Sequence, residues 1–376
     1  MRILLDATAI PVDRGGVGRY VDELLPALAR QGVDLVVACQ SRDADTVAGL
    51  VPRAEVVTAP GRVGRRAARL LWEQTHLPRL ARSVRADVLH SPHYTMPRTG
   101  TVPVVVTLHD ATFFSHPELH SALKRRFFTA ATRTAVARAA ALVVPSEATG
   151  REVRRFVGGD PARFHVAHHG VDSTLFHPAD PADVDRVRTS LGLGSAPYVA
   201  FLGTLEPRKN VPALVRGWAT AVGPQGAQAP VLVLAGGRGW DTEVDPAVAA
   251  VPAGLRVLRP GYLPLADLGP YLSGADVVAY PSLGEGFGLP VLEAMACGAA
   301  VLTTKELSLV EVGGDAVAYT GTDDRSIAAG LSALLADPAR RAELSAAAVA
   351  RAAAFTWDAA AAVHVAAYEQ AAQTSA

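Results

Sequence analysis

Cysteine is scarce in this sequence: 376 residues include two, Cys39 and Cys297, each inside an apolar stretch. That excludes a disulfide framework and fits a reducing, cytoplasmic setting. Net charge is lacking as well, with 36 Lys and Arg against 36 Asp and Glu. No global field would draw in nucleic acid, so none is expected as a partner, and any basic patch must be local. No run of eighteen apolar residues occurs, which removes a membrane span and leaves surface attachment open. The opening "MRILLDATAI" has one basic residue and then Asp6, without the apolar core and cleavage site of a secretory signal. Short-period repeats and low-complexity tracts are missing too, apart from an alanine enrichment near the C-terminus that favours helix.

What the chain does have is apolar content, 49% over 376 residues, more than one ordinary core and a natural length for two domains. Short apolar runs alternate with longer amphipathic segments, the pattern of an α/β protein with helix-covered parallel sheets. "RILLD", "DLVVAC", "DVLHS", "VPVVVTLHD" and "ALVVPS" read as strands of one doubly wound, Rossmann-like domain over residues 1–172. A Pro- and Asp-rich stretch, 173–189, reads as a linker. The pattern restarts with "YVAFLGT", "PVLVLAGG", "LRVLRPG", "DVVAYPS" and "AAVLTT", giving a second such domain over 190–355. A last helix, 356–376, has Thr356 as N-cap and carries Trp357 and Tyr368. Two such sheets facing one another would leave a central cleft at the carboxyl ends of their strands, where ligands of these folds bind.

Two loop-to-helix motifs follow strands. In "DATAIPVDRGGVGRY", Gly15, Gly16 and Gly18 precede a helix expected to begin near Arg19. Glycines let the backbone approach a ligand, and helix amides favour an anion such as a diphosphate. The dinucleotide fingerprint fails because Val21 holds its final glycine position, and a plain strand-to-helix turn stays open. In "PSLGEGFGLPVLEAMACG", Glu285 lies on a loop and Glu293 about one turn into a helix with Pro290 in its first turn. Gly286 and Gly288 free the backbone around Phe287 and Leu289 for a pyrophosphate at that helix N-terminus. The two carboxylate oxygens of Glu293 match the two donors of a ribose diol. The bland alternative, two solvated glutamates, fits poorly with the apolar flanks.

This stretch resembles the E-x7-E signature of the family-4 retaining glycosyltransferases, which have the GT-B fold. Further resemblances run in the family's order: "GGVGRY", "LHDATFF", "HHGVDSTLF", "GTLEPRKN", "PGYLP" and a closing "FTWDAAA". The resemblance implies sugar transfer from a nucleotide diphosphate to an acceptor hydroxyl, with retention and with neither cofactor nor catalytic metal. It implies that the second domain holds the nucleotide, that the first offers the acceptor, and that the terminal helix crosses back onto the first. Arg208 and Lys209 would stabilise the leaving diphosphate, although many relatives place the arginine where this chain has Thr204. Gly16 would complete that clamp. His109 would stand beside the donor sugar, Glu285 would hold its hydroxyls, and Gly261, Tyr262 and Leu263 would meet the base. A front-face mechanism is favoured, since no carboxylate stands out as a nucleophile.

The wording of "HDATFF" and "GTLEPRKN" looks most like mannosyltransferases of polysaccharide assembly, which makes GDP-mannose the expected donor. UDP-sugars stay open, as do a nucleotide-sugar epimerase, a phosphorylase or a silent binding module of the same fold. The acceptor is expected to be a polysaccharide, a glycolipid or another carbohydrate or lipid-linked molecule. Arg65, Arg66, Arg125 and Arg126 sit in stretches that suit the anionic inner face of a membrane, or simply a solvated helix. The pairs His90/His93 and His116/His120 have ligand-like spacing but lack a zinc-binding context. The "DAD" at 43–45 reads as a solvated turn.

Overall fold

The structure is a computed structural model that describes residues 1–12 and 14–374, so the end of the expected helix 356–376, Ser375 and Ala376, lies outside the described residues. The chain divides into two compact units, Met1–Gly170 together with Thr356–Ala376, and Val171–Phe355. Among the described residues the first unit carries seven strands: β1 (Arg2–Asp6), β2 (Asp34–Gln40), β3 (Glu55–Ala59), β4 (Val88–Ser91), β5 (Val104–Thr107), β6 (Ala141–Val144) and β7 (Phe164–Val166). All pair in parallel, in the order β3-β2-β1-β4-β5-β6-β7. The second unit repeats the scheme with β8 (Tyr198–Leu202), β9 (Val231–Ala235), β10 (Val257–Gly261), β11 (Val277–Tyr280), β12 (Val301–Thr304) and β13 (Ala318–Thr320), ordered β10-β9-β8-β11-β12-β13. Central strands such as β5 and β11 are buried along their whole length, which is why they read as unbroken apolar runs. The edge strands β7 and β13 have three residues each, all half-buried, too short to give such a signal.

Three expectations are corrected. The helix after β1 runs Gly15–Arg30, starting before Arg19, so the three glycines lie within it. Gly18 makes this possible: a Cβ there would stand 2.6 Å from the Cβ of Arg14, which folds back over the helix. The Arg14 guanidinium bonds to Asp22 and, at 2.9 Å, to Asp43. Asp43 is therefore buried rather than part of a solvated turn. Residues 173–189 are no linker but belong to the second unit, and Pro181–Ser190 is a helix. Its proline stands at the first helical position and its aspartate in the first turn, where both favour helix entry. Val187 is buried, and Arg186 pairs with Asp267 at 2.6 Å.

The C-terminal helix, Trp357–Gln373, packs against helix Gly15–Arg30 and the first sheet. Thr356 caps it, its hydroxyl accepting from Ala359 N at 3.1 Å. At Gly170 a Cβ would lie 2.2 Å from Trp357 N, so no larger residue lets the chain pass there. Trp357, Ala360, Ala361, Ala367, Tyr368 and Ala371 join Tyr20, Leu24 and Leu28 in one apolar cluster. Polar groups are buried with them, including His90 and His364.

Burial pushes His364 down to about 4 and His90 well below the usual histidine range. Once unfolded, these rings would take protons near 6.5, so stability is full above that pH and is lost as pH falls towards 4. Urea titrations followed by circular dichroism should show the midpoint falling across this window. His364→Gln should flatten the fall, and an unchanged slope would mean that protonation elsewhere governs it.

Candidate functional site

In the second unit the strand order reverses direction between β8 and β11, and the loops after these two strands meet. After β8 come Gly203, a tight 3-10 turn Pro207–Lys209, and Asn210 in the left-handed region with φ 57. After β11 come Pro281 to Gly288 and the helix Leu289–Ala296. The loops are sewn together: Leu283 N donates to Arg208 O at 2.8 Å, and Asn210 Nδ2 donates to Pro281 O and Thr322 O at 3.2 and 2.7 Å.

Glu285 is the centre of this junction. Its Oε1 accepts from Lys209 Nζ at 2.7 Å, Ser282 Oγ at 2.7 Å and Tyr280 Oη at 3.0 Å, while Oε2 pairs with Arg208. Arg208 also donates to Gly284 O at 2.7 Å and pairs with Glu206 at 3.2 Å. Lys209 reaches the Tyr280 hydroxyl as well. Glu285 and Lys209 are 6% and 7% exposed, so neither charge is left to bulk water. Burial alone would raise the Glu285 carboxyl, but Arg208 and Lys209 override it and hold it at about 2. Burial, with the charge of Arg208 behind it, pulls Lys209 below the usual lysine range. The result is a carboxylate and two adjacent cations fixed in one small polar cluster.

The remaining candidates of the second unit lie on the loop and helix that follow β11 and at the end of β10. Glu293, on the helix Leu289–Ala296, is buried. Gly288 has φ 105, and a Cβ there would come 2.8 Å from Leu309. Ser308 Oγ reaches Glu285 O at 2.7 Å and Phe287 O at 2.8 Å, and Thr304 Oγ1 reaches Ser282 O at 2.6 Å. These bonds fix the segment that carries Gly286, Phe287, Gly288 and Leu289. Gly261 has φ 79, Leu263 packs against the core, and Tyr262 is 69% exposed with its hydroxyl over Gly237.

His109 lies in the first unit, two residues beyond the end of β5 rather than on the strand itself. Its Nε2 bonds to Pro92 O at 2.7 Å, and burial lowers its proton affinity. A carbonyl only accepts, so the neutral ring donates from Nε2. Gly16 is exposed on the first turn of its helix. Arg65, Arg66, Arg125 and Arg126 are exposed, and Leu123 and Phe127 beside the latter pair are 78% and 37% exposed. His90 and His120 bond to Thr107 and Thr112 hydroxyls at 2.9 Å, and His116 to Ser115 at 2.9 Å. Glu206, Tyr280, Ser282 and Ser308 also belong to this junction, and no motif in the sequence marks their part in it. Tyr280 ends a strand and Ser282 stands three residues before Glu285, but nothing local signals that their hydroxyls face one carboxylate.

The sequence matches Glycosyltransferase Family 4 over residues 14–175 and Glycosyl transferases group 1 over residues 196–337. It is 32% identical to the O-antigen chain mannosyltransferase B of Escherichia coli, over 72% of this chain and 71% of that one. It is 30% identical to the D-inositol 3-phosphate glycosyltransferase of Kineococcus radiotolerans, over 96% and 92%. The fold matches Anabaena Alr3699/HepE, crystallised with UDP and glucose, with TM-score 0.75 and 20% identity over 100% of this chain and 99% of that one.

A double-mutant cycle tests the central cluster. Lys209→Met leaves part of a buried charge uncompensated and should cost about 3 kcal/mol. Combined with Glu285→Gln it should cost less than the sum of the two single changes, with a coupling of about 2 kcal/mol by urea denaturation. Additive losses would show that the two side chains do not stabilise each other.

Proposed function

This chain belongs to glycosyltransferase family 4, and on that premise we propose that it moves mannose from GDP-mannose to a hydroxyl of a growing polysaccharide or glycolipid, with retention and without a metal. The observation that carries the donor chemistry is the gathering of Arg208 and Lys209 on Glu285 at the switch point of a doubly wound sheet. Breaking the bond between the anomeric carbon and the diphosphate oxygen leaves charge on that oxygen. The two cations supply the compensation without a metal ion. The acceptor oxygen bonds to the anomeric carbon on the face the diphosphate leaves, and its proton passes to the departing phosphate oxygen. Glu285 suits this course because Oε1 already accepts three hydrogen bonds and two cations neutralise its charge, which makes it a poor nucleophile, while Oε2, paired with Arg208 alone, still has acceptor capacity for a sugar hydroxyl. It holds the sugar's hydroxyls, Glu293 holds the ribose, and neutral His109 accepts a hydroxyl of the transferred sugar. Gly16 and the amides around Gly286 to Leu289 serve the diphosphate, and Gly261 to Leu263 serve the base.

Mannose is supported by the name of the Escherichia coli relative. The name of the Kineococcus relative favours a second reading of the acceptor, a phosphorylated polyol, and the UDP in the Anabaena structure keeps a UDP-sugar as the alternative donor. No helix among the described residues is long and apolar enough to cross a membrane. The exposed Leu123, Arg125, Arg126 and Phe127 support peripheral contact with an anionic inner face.

A thermal-shift panel of GDP-, UDP- and ADP-sugars identifies the donor, since a ligand at a hundred times its Kd adds about 2.7 kcal/mol. GDP-mannose should give the largest shift, and activity should survive chelator treatment. Stabilisation by UDP-sugars alone would move the assignment to the alternative donor, and activity lost to chelator and restored only by magnesium or manganese would remove metal independence.

The two glutamates should fail differently. In the free protein Glu285 competes with any diphosphate for Arg208 and Lys209, so Glu285→Gln should bind nucleoside diphosphate several-fold more tightly while transfer falls about a hundred-fold. Glu293→Ala should weaken that binding at least about ten-fold. Calorimetry beside turnover makes the comparison. Equal weakening in both variants would remove Glu285 from the sugar and end this division of roles.

A further inference from the structure

Behind His109 the first unit buries a row of polar side chains, none more than 1% exposed: Tyr20, His90, Thr107, His364 and Tyr368. Three come from the body of the unit and two from the C-terminal helix. Their bonds have one possible direction. Ala360 O can only accept, so His364 Nδ1 donates to it at 2.7 Å. The neutral ring then accepts at Nε2 from the Tyr20 hydroxyl at 2.7 Å. Tyr20 Oη accepts from Thr107 Oγ1 at 2.9 Å, and Thr107 accepts from His90 Nε2 at 2.9 Å. His90 Nδ1 accepts from the Tyr368 hydroxyl at 2.8 Å. A single backbone carbonyl thus sets both tautomers and every hydroxyl in the row.

Thr107 stands two residues before His109 and is the hub. Its hydroxyl joins the row, and its carbonyl accepts from Tyr94 N at 3.1 Å. Tyr94 has φ 57, a strained conformation for a bulky side chain. The strain places its hydroxyl 2.8 Å from Asp110 N, directly after His109. The Tyr20 ring meets His109 edge-on, centroids 4.9 Å apart at 83°. With Nε2 on Pro92 O, His109 Nδ1 has no hydrogen bond among the described residues and presents an acceptor.

We propose that Tyr20 and Thr107 are positioning residues for His109, and that the C-terminal helix sets them through His364. The consequence for catalysis rests on the reading of His109 as the group that meets the transferred sugar.

Histidine-labelled protein lets NMR read the His109 ring resonances while donor turnover is measured on the same variants. Tyr20→Phe should move the His109 ring resonances, while the Nε2–H form held by Pro92 O persists. It should lower kcat on the order of ten- to a hundred-fold with donor KM nearly unchanged. Tyr368→Phe deletes an equally buried hydroxyl at the far end of the row and should leave both readouts near wild type. If Tyr20→Phe does not fold, Thr107→Val and Thr107→Ser make the same comparison, with the retained hydroxyl of Thr107→Ser restoring both signals. An unmoved His109 resonance with unmoved kcat in Tyr20→Phe would overturn the proposal. Equal kcat losses in Tyr20→Phe and Tyr368→Phe would overturn it too, by reducing the row to a structural role. His109→Ala is the separate control: full activity there would remove His109 from the sugar while leaving the resonance result standing.

Discussion

Two cations side by side in sequence, Arg208 and Lys209, are drawn towards one carboxylate that arrives from the far side of the sheet reversal. Withdrawing Lys209 from water is costly unless a counter-charge is already in place, and Glu285 supplies it. Much of the surrounding architecture keeps that carboxylate from moving. Asn210 takes the left-handed conformation so that its amide can bind across to Pro281 and Thr322. Ser308 and Thr304 hold the loop from β12 and the segment after it. The cluster is therefore preorganised, with both cations ordered by the fold.

The α/β class and the two parallel sheets are legible in the sequence because central strands are buried on both faces and leave unbroken apolar runs. The loop position of Glu285 and the helical position of Glu293 are legible for a local reason: glycines and a proline mark where the loop ends and the helix begins. The partners of Glu285 are not, because Arg208 lies 77 residues away and pairing at that range leaves no periodicity. Residues 173–189 mislead because proline and aspartate mark helix entry as readily as they mark a linker. Asp43 misleads in the same way: its burial depends on Arg14 folding back over a glycine, a packing event that composition does not encode.

Two kinds of buried polarity occur in the two units. The second concentrates charge and neutralises it within one cluster. The first buries ion pairs too, such as Arg14 with Asp43 and Arg69 with Glu73, but behind His109 it keeps a separate row neutral, with histidine rings whose proton affinity burial has lowered and hydroxyls ordered by their neighbours. A charged cluster of this kind can exchange one anion for another, whereas a neutral row holds geometry without attracting counter-ions.

The chain leaves the first unit at Gly170 and returns to it at Thr356. During synthesis the second unit, Val171–Phe355, is therefore complete before the first receives its last helix. The first sheet must wait on the ribosome with Tyr20, His90 and Thr107 lacking His364 and Tyr368, while the later-made unit is free to fold as a whole. Until that helix is made, the apolar cluster around Tyr20, Leu24 and Leu28 lacks Trp357, Ala361 and Tyr368.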